Sequence, residues 1–254
     1  MRSISHPYAQ VLVYPDAQTF QRAATDEFLR SAREAILERG SFKVALAGGS
    51  TPRATYASLA ESEQKGTAQV AWDKVEVFFG DERTVPPEHT DSNFRMAQEV
   101  LLSKVPFKPE RIHRLQGEME PNQAAKEYEA EIRKAFQIPA GTIPKFDLIL
   151  LGMGGDGHTA SLFPGSAALE ETTQLVCSNW VEKFGTHRLT FTFPVLNAAG
   201  ADLFMVMGAD KARMVGNILR PPSTDPVYPA QRVRPAHGRL LWMLDEAAAG
   251  ELGR

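Results

Sequence analysis

Apolar side chains recur along the chain in two alternating rhythms, short continuous runs and longer stretches with apolar residues every fourth position, and this alternation predicts the architecture. Val11 to Tyr14 reads as a short strand. After Asp16, the positions Phe20, Ala24, Phe28, Ala32 and Ile36 share one helical face, and Gly40 closes the helix. The pattern then repeats: Lys43 to Ala47 predicts a strand, Gly48 to Thr51 a turn, Pro52 to about Glu61 a helix, and Val75 to Phe79 a further strand running into a polar loop. Ser92 is placed to cap a helix reaching about Lys104. Arg111 to Leu115 reads as a strand, and Pro121 opens a helix with Ala125, Tyr128, Ile132 and Phe136 on one face. Phe146 to Leu151 is the most apolar run, as a central strand covered on both faces requires. Beyond it come a strand Arg188 to Phe193 with Leu189, Phe191 and Phe193 alternating, a helix near Val195 to Ala199, a strand Leu203 to Met207, a helix Asp210 to Leu219 and a last strand Leu240 to Leu244. Pro221 to Pro235, with five prolines in fifteen residues, reads as a loop. Strands alternating with helices predict a single α/β domain over residues 1–254, Rossmann-like, with a mostly parallel sheet flanked by helices.

Charge and composition narrow the function classes. The 254 residues carry 28 basic and 31 acidic side chains, a net charge of −3 with no block of one sign, so no field gathers nucleic acid or an anionic membrane. No stretch approaches the ~20 apolar residues of a spanning helix, and Met1 to Gln10 lacks the apolar segment of a secretory signal; the expected address is the cytoplasm. Cys177 is the single cysteine, which excludes an intrachain disulfide and a cysteine-built zinc cage. Within Leu175-Val176-Cys177 it reads as a small buried side chain.

Ligands of an open parallel sheet bind beyond the carboxyl ends of its strands, so the loops there carry the candidate chemistry. Gly48-Gly49-Ser50-Thr51-Pro52 has the outline of a phosphate cradle: glycines that admit an anion to the backbone, two hydroxyl donors, and a proline suited to the first helical turn. It lacks the lysine of a nucleotide P-loop, and it fits equally well a plain strand-to-helix turn with a capping hydroxyl. Gly80-Asp81-Glu82-Arg83 sets two carboxylates and an arginine directly after a strand, suited to acid, base or anion clamp, and also to simple solvation. The loop from Gly152 to His158 formally satisfies the dinucleotide-binding glycine pattern. That reading is rejected, because Pro164 and Gly165 interrupt any helix and no strand precedes Glu170 and Glu171. What remains is a glycine-dense loop holding Asp156 and His158 at the end of the most buried strand, where an imidazole suits general-base work near neutral pH. No histidine spacing fits a metal and no G-x-S-x-G elbow is present, so metal and covalent-serine schemes drop out. Arg188 and Lys211, each beside a strand end, are cations placed to close around a phosphate, although each also fits a surface charge.

Taken together, Gly48 to Pro52, Phe79 to Arg83 with Val85-Pro86 and Asp91-Ser92-Asn93, Leu151 to Gly165, Arg188-Leu189-Thr190 with Pro194 to Asn197, and Gly208-Ala209-Asp210-Lys211 resemble the 6-phosphogluconolactonase family in order and spacing. The resemblance runs from about residue 10 to 249, and its most specific stretch is Gly152 to Gly165. It implies a fold shared with glucosamine-6-phosphate deaminase and ribose-5-phosphate isomerase. It also implies hydrolysis of 6-phospho-D-glucono-1,5-lactone to 6-phosphogluconate in the oxidative pentose phosphate pathway, with no metal or organic cofactor. Deaminase-like sequences carry a tyrosine after the Asp-Glu pair and a glutamate five residues beyond the histidine; here these positions are Arg83 and Phe163, which favours the lactonase. On that reading Gly48, Gly49, Ser50, Thr51, Arg188 and Lys211 hold the substrate phosphate. His158 is then the base that activates water, Asp156 orients it, and Arg83 or nearby glycine amides stabilise the oxyanion. The assignment with Asp81 as base and His158 positioning the water stays open, as does a sugar-phosphate-binding regulator without turnover. The implied partner is a small sugar phosphate, with the chain a monomer or small homo-oligomer that meets neither nucleic acid nor membrane.

Overall fold

Capping chemistry starts the first long helix. Asp16, in extended backbone, accepts a hydrogen bond from the Thr19 amide at 2.7 Å, and Gly40 ends the helix in the left-handed region at φ 80°. The structure is a computed structural model that describes residues 1–220 and 228–252; part of the proline-rich loop expected over 221–235 therefore lies outside the described residues. In chain order the elements are β1 (Arg2–Ile4), β2 (Gln10–Tyr14), α1 (Ala17–Arg39), β3 (Phe42–Leu46), α2 (Ser50–Gln64), β4 (Val75–Phe79), β5 (Asp81–Arg83), α3 (Asn93–Ala97) and α4 (Pro121–Phe136). They continue with β6 (Leu148–Leu151), β7 (Val176–Val181), β8 (Thr186–Phe191), α5 (Phe193–Asn197), β9 (Ala201–Val206), α6 (Ala212–Leu219) and β10 (Arg239–Asp245). The expected face of α1 is buried at Phe20, Ala24, Phe28 and Ala32, and Ser92 caps α3, which runs on as a π-helical turn Gln98–Leu102.

Two sheets result. The larger has the order β1-β2-β10-β9-β6-β3-β4 and is parallel throughout except for β1, which pairs antiparallel on its edge. From β3 the chain steps to β4 on one side, whereas β6, β9 and β10 step away on the other. The winding thus reverses between β3 and β6, which leaves a crevice at their carboxyl ends. The smaller sheet, β5-β8-β7, is antiparallel and was not foreseen in the sequence pattern. Gly80 joins the two: its amide donates to the Leu46 carbonyl at 2.9 Å, and its carbonyl accepts from Phe191 at 2.8 Å.

The strand expected at residues 111–115 does not form. Ile112 makes a single bridge to Val77 after a 3-10 turn Pro109–Arg111, and the His113 carbonyl accepts instead from the Tyr128 hydroxyl at 3.2 Å, so no ladder develops. Of the expected loop at residues 221–235, Pro229–Arg232 forms a 3-10 turn. Cys177 is buried on β7, where burial pushes its thiol up to about 12, consistent with an inert packing role. A continuous apolar core fills both faces of the large sheet, including Phe78, Phe136 and Phe146 with ring centroids 4.8 to 5.7 Å apart. Among the described residues no helix is long and apolar enough to cross a membrane.

A carboxylic acid lies in the middle of the large sheet. Asp202 on β9 is 0% exposed, lies in register between Ile149 and Leu240, and has no hydrogen-bond partner for either carboxylate oxygen among the described residues. Burial alone raises its carboxyl well above the usual range. Between its ordinary unfolded pKa, ~3.9, and the raised folded value, the unfolded chain ionises while the folded one stays neutral, so stability falls as pH rises through that window. Asp202→Asn, isosteric and not titratable, is expected to match the parent near pH 4 and to exceed it increasingly above, by up to ~1.4 kcal/mol per pH unit. Urea unfolding at several pH values measures this, and a difference independent of pH contradicts it.

Candidate active site

The crevice between β3 and β6 opens into a cleft of about 430 Å³ that gathers residues from the ends of β3, β6 and β9 and from the small sheet. Gly48, Gly49, Ser50, Thr51, Asp81, Arg83, His158, Arg188 and Lys211 all line it; of the sequence candidates Asp156 and Glu82 do not, Asp156 lying behind His158.

The turn after β3 is held from within. The Tyr56 hydroxyl, buried in α2, accepts from the Ala47 amide and donates to the Ala47 carbonyl, both at 2.9 Å, which ties the strand end to the helix that follows. A side chain at residue 48 would overlap the Asn93 amide, so only glycine allows this close approach. The first turn of α2 then faces the cleft with its amides and with no acidic residue of its own.

Strand pairing sorts the charged residues after β4. As β5 is extended, Asp81 and Arg83 share one face and point to the cleft, whereas Glu82 points the other way. The Glu82 carboxylate accepts from the amides of Arg83 (2.8 Å), Asn93 (2.7 Å) and Phe94 (2.8 Å) and from the Ser92 hydroxyl (3.1 Å). Burial raises its pKa against the pull of these donors. Its task is to fasten the polar loop to β5, so one of the two adjacent carboxylates serves structure and only Asp81 enters the site. Asp81 is 8% exposed; Oδ2 accepts from the Ser161 hydroxyl at 2.8 Å and Oδ1 from the Asn93 amide at 3.2 Å.

Register also places Arg83 directly opposite Arg188 on β8. Like charges facing each other across paired strands are destabilising. Burial first, and then the facing Arg83, lower the pKa of the Arg188 guanidinium. Arg83 donates to the Asp91 carbonyl, and Arg188 lies over the Phe184 ring, 5.3 Å from its centroid. Among the described residues neither guanidinium has a carboxylate in salt-bridge contact. Lys211 differs: its ammonium pairs with Asp210 at 2.8 Å. The turn that carries both begins at Gly208, whose amide donates to the Asp245 carboxylate at 3.1 Å.

In the glycine loop a side chain at residue 154 would overlap the His158 ring and Asp156. With glycine there, His158 Nδ1 sits 2.5 Å from Asp156 Oδ1, and Asp156 Oδ2 meets Lys183 Nζ at 3.3 Å. Burial alone would raise the Asp156 carboxyl, but the His158 hydrogen bond and charge, with Lys183, outweigh it and hold the group below the usual carboxylate range. The imidazole stacks on Phe163, centroids 4.0 Å apart, and Nε2 has no protein partner among the described residues. The neighbouring segment is pinned through Ser161, whose amide donates to Thr190 Oγ1 at 3.1 Å and whose carbonyl accepts from Asn179 at 2.8 Å. The Gly157 carbonyl accepts from the Ala230 amide at 3.0 Å.

Chemically, among the described residues the cleft offers three cations and a helix start for an anionic group, beside an imidazole with one nitrogen free of protein partners. Among the described residues no three His, Cys, Asp or Glu side chains come together in a group able to hold a metal ion. The sequence did not single out Tyr56, Ser161, Phe184 or Lys183. Ser161 lay inside the most specific stretch, but its role depends on partners from three distant segments.

Comparison with known proteins agrees with this geometry. The family model for glucosamine-6-phosphate isomerases/6-phosphogluconolactonase matches residues 15–242. A 6-phosphogluconolactonase of Nostoc sp. is 39% identical over 243 residues, covering 95% of this chain and 98% of its own. One of Synechocystis sp. is 43% identical over 220 residues, covering 86% and 88%. The solved structure of the 6-phosphogluconolactonase from Trypanosoma brucei matches with a TM-score of 0.83 at 27% identity, covering 98% of this chain and 100% of that one. Since both the family model and these relatives extend over most of its length, the chain belongs to the glucosamine-6-phosphate isomerase/6-phosphogluconolactonase family.

Proposed function

We propose that this protein is a cytoplasmic 6-phosphogluconolactonase, acting as one unit over its length, which hydrolyses 6-phospho-D-glucono-1,5-lactone to 6-phosphogluconate in the pentose phosphate pathway. The observation that carries the reading is Arg83 facing Arg188 in the same cleft as the Asp156–His158 pair. Two guanidiniums with no carboxylate partner among the described residues are costly until negative charge meets them, and the proposed substrate supplies it twice: a phosphate for Arg188, and the charge that develops on the carbonyl oxygen for Arg83.

In the proposed reaction Arg188, Lys211 and the amides at residues 48–51 hold the phosphate and set the lactone carbonyl before His158. His158 Nε2 takes a proton from water as the water oxygen attacks the carbonyl carbon. Asp156, on Nδ1, keeps the other ring nitrogen protonated and stabilises the imidazolium that forms. Arg83 donates to the oxyanion. The carbonyl then re-forms, the bond from that carbon to the ring oxygen breaks, and the ring oxygen takes the proton back from the imidazolium. His158 is favoured over Asp81 as base because both Asp81 oxygens already accept hydrogen bonds, whereas the imidazole keeps one nitrogen free. The deaminase alternative is disfavoured by Phe163, an apolar ring packed on the imidazole where that chemistry would use a carboxylate.

Lactone hydrolysis followed by proton release, corrected for the spontaneous rate, tests this. His158→Ala is expected to lose ~10²–10⁴ in kcat, and near-parental turnover removes His158 as base. Lys211→Ala is expected to raise KM by roughly 10- to 100-fold with a much smaller effect on kcat, as loss of a charge-assisted bond to phosphate predicts; an unchanged KM removes Lys211 from the clamp. No step calls for a metal, so the rate is expected to survive exhaustive chelation.

A further inference from the structure

The turn between β7 and β8, Glu182–Phe184, stands at the mouth of the cleft and ends at Gly185 in the left-handed region. Phe184 at its tip is 48% exposed, yet it touches both halves of the site. It meets Phe163 in a T-shaped contact, 5.8 Å between centroids and 81° between planes, and Phe163 in turn stacks on His158. Its ring carries the neighbouring Lys183 ammonium at 5.5 Å and the Arg188 guanidinium at 5.3 Å.

That second contact has a chemical logic. An anion-binding arginine has to be held still without being neutralised. A carboxylate partner orients a cation but consumes its donors and its charge, as Asp210 does for Lys211. An aromatic face attracts the cation through its quadrupole and leaves the N–H donors available. Arg188, repelled by Arg83 across the ladder, has the Phe184 ring in place of a carboxylate.

We propose that Phe184 is a positioning residue: its face orients Arg188 toward the anionic group of the ligand, and its T-shaped contact steadies Phe163 behind His158. The inference rests on the reading of Arg188 as a phosphate ligand. Leucine at 184 keeps apolar bulk against Phe163 but has no π face, tyrosine keeps both, and alanine keeps neither.

Phe184→Leu is therefore expected to raise KM about two- to fivefold with kcat unchanged, the range that an exposed cation–π contact supports. Phe184→Ala is expected to raise KM likewise and also to lower kcat by a factor of about two to three, through the lost ring-edge contact. Phe184→Tyr restores both constants. Calorimetric titration with inorganic phosphate, which needs no turnover, is expected to show the same weakening in Phe184→Leu and its recovery in Phe184→Tyr. Parental KM and phosphate affinity in Phe184→Leu, or equal weakening in Phe184→Tyr, overturns the proposal. Absence of lactone turnover in the parent protein overturns the lactonase reading instead, and the phosphate titrations still decide the role of Phe184.

Discussion

The site depends on a handover at Gly80. There the chain leaves a strand of the parallel sheet and, one residue later, enters the antiparallel one; the Gly80 amide and carbonyl each bind a different sheet. This junction sets the register of β5 on β8, and the register decides which charges meet. Shifted by one residue, Glu82 would face the cleft and Arg83 would turn inward, since alternate residues of a strand point to opposite sides. The phosphate reading and the position of Asp81 both follow from this pairing.

The second support is a set of buried polar groups around the loops that bind several partners each. Glu82 gathers three amides and a hydroxyl, and Ser161 engages Thr190, Asn179 and Asp81 through its amide, carbonyl and hydroxyl. Buried polar groups satisfied in this way fix one conformation of a loop that has few apolar contacts to do so. The freedom lost by the loops at folding is freedom that substrate binding does not have to remove.

Much of this was legible in the chain before the fold was known. The face of α1, the cap at Ser92, and the continuous run of β6 follow from local periodicity and capping, which act over a few residues. The strands β1, β5 and β7 were not legible, because their sequences are short or polar and become extended only through a partner distant in sequence. The opposite error, a strand at residues 111–115, came from an apolar pattern whose carbonyl found Tyr128 instead of a neighbouring strand. The site residues were recognisable by type, as glycines, cations and a histidine in loops after strands. Their arrangement was not: Glu82 separates from Asp81 only once β5 is known to be extended, and Phe184 comes to the site only because β8 brings Arg188 against its ring.

The pairing of Lys211 with Asp210 bears on discrimination. A visitor reaching that ammonium trades one ionic partnership for another, so a singly charged group brings little net attraction over the resident carboxylate. A doubly charged group has a second charge left over for the guanidiniums opposite. If Lys211 holds the phosphate as proposed, a tethered rival of this kind would make the pocket a counter of charge, favouring a sugar phosphate over a carboxylated metabolite of the same size that carries half its anionic content.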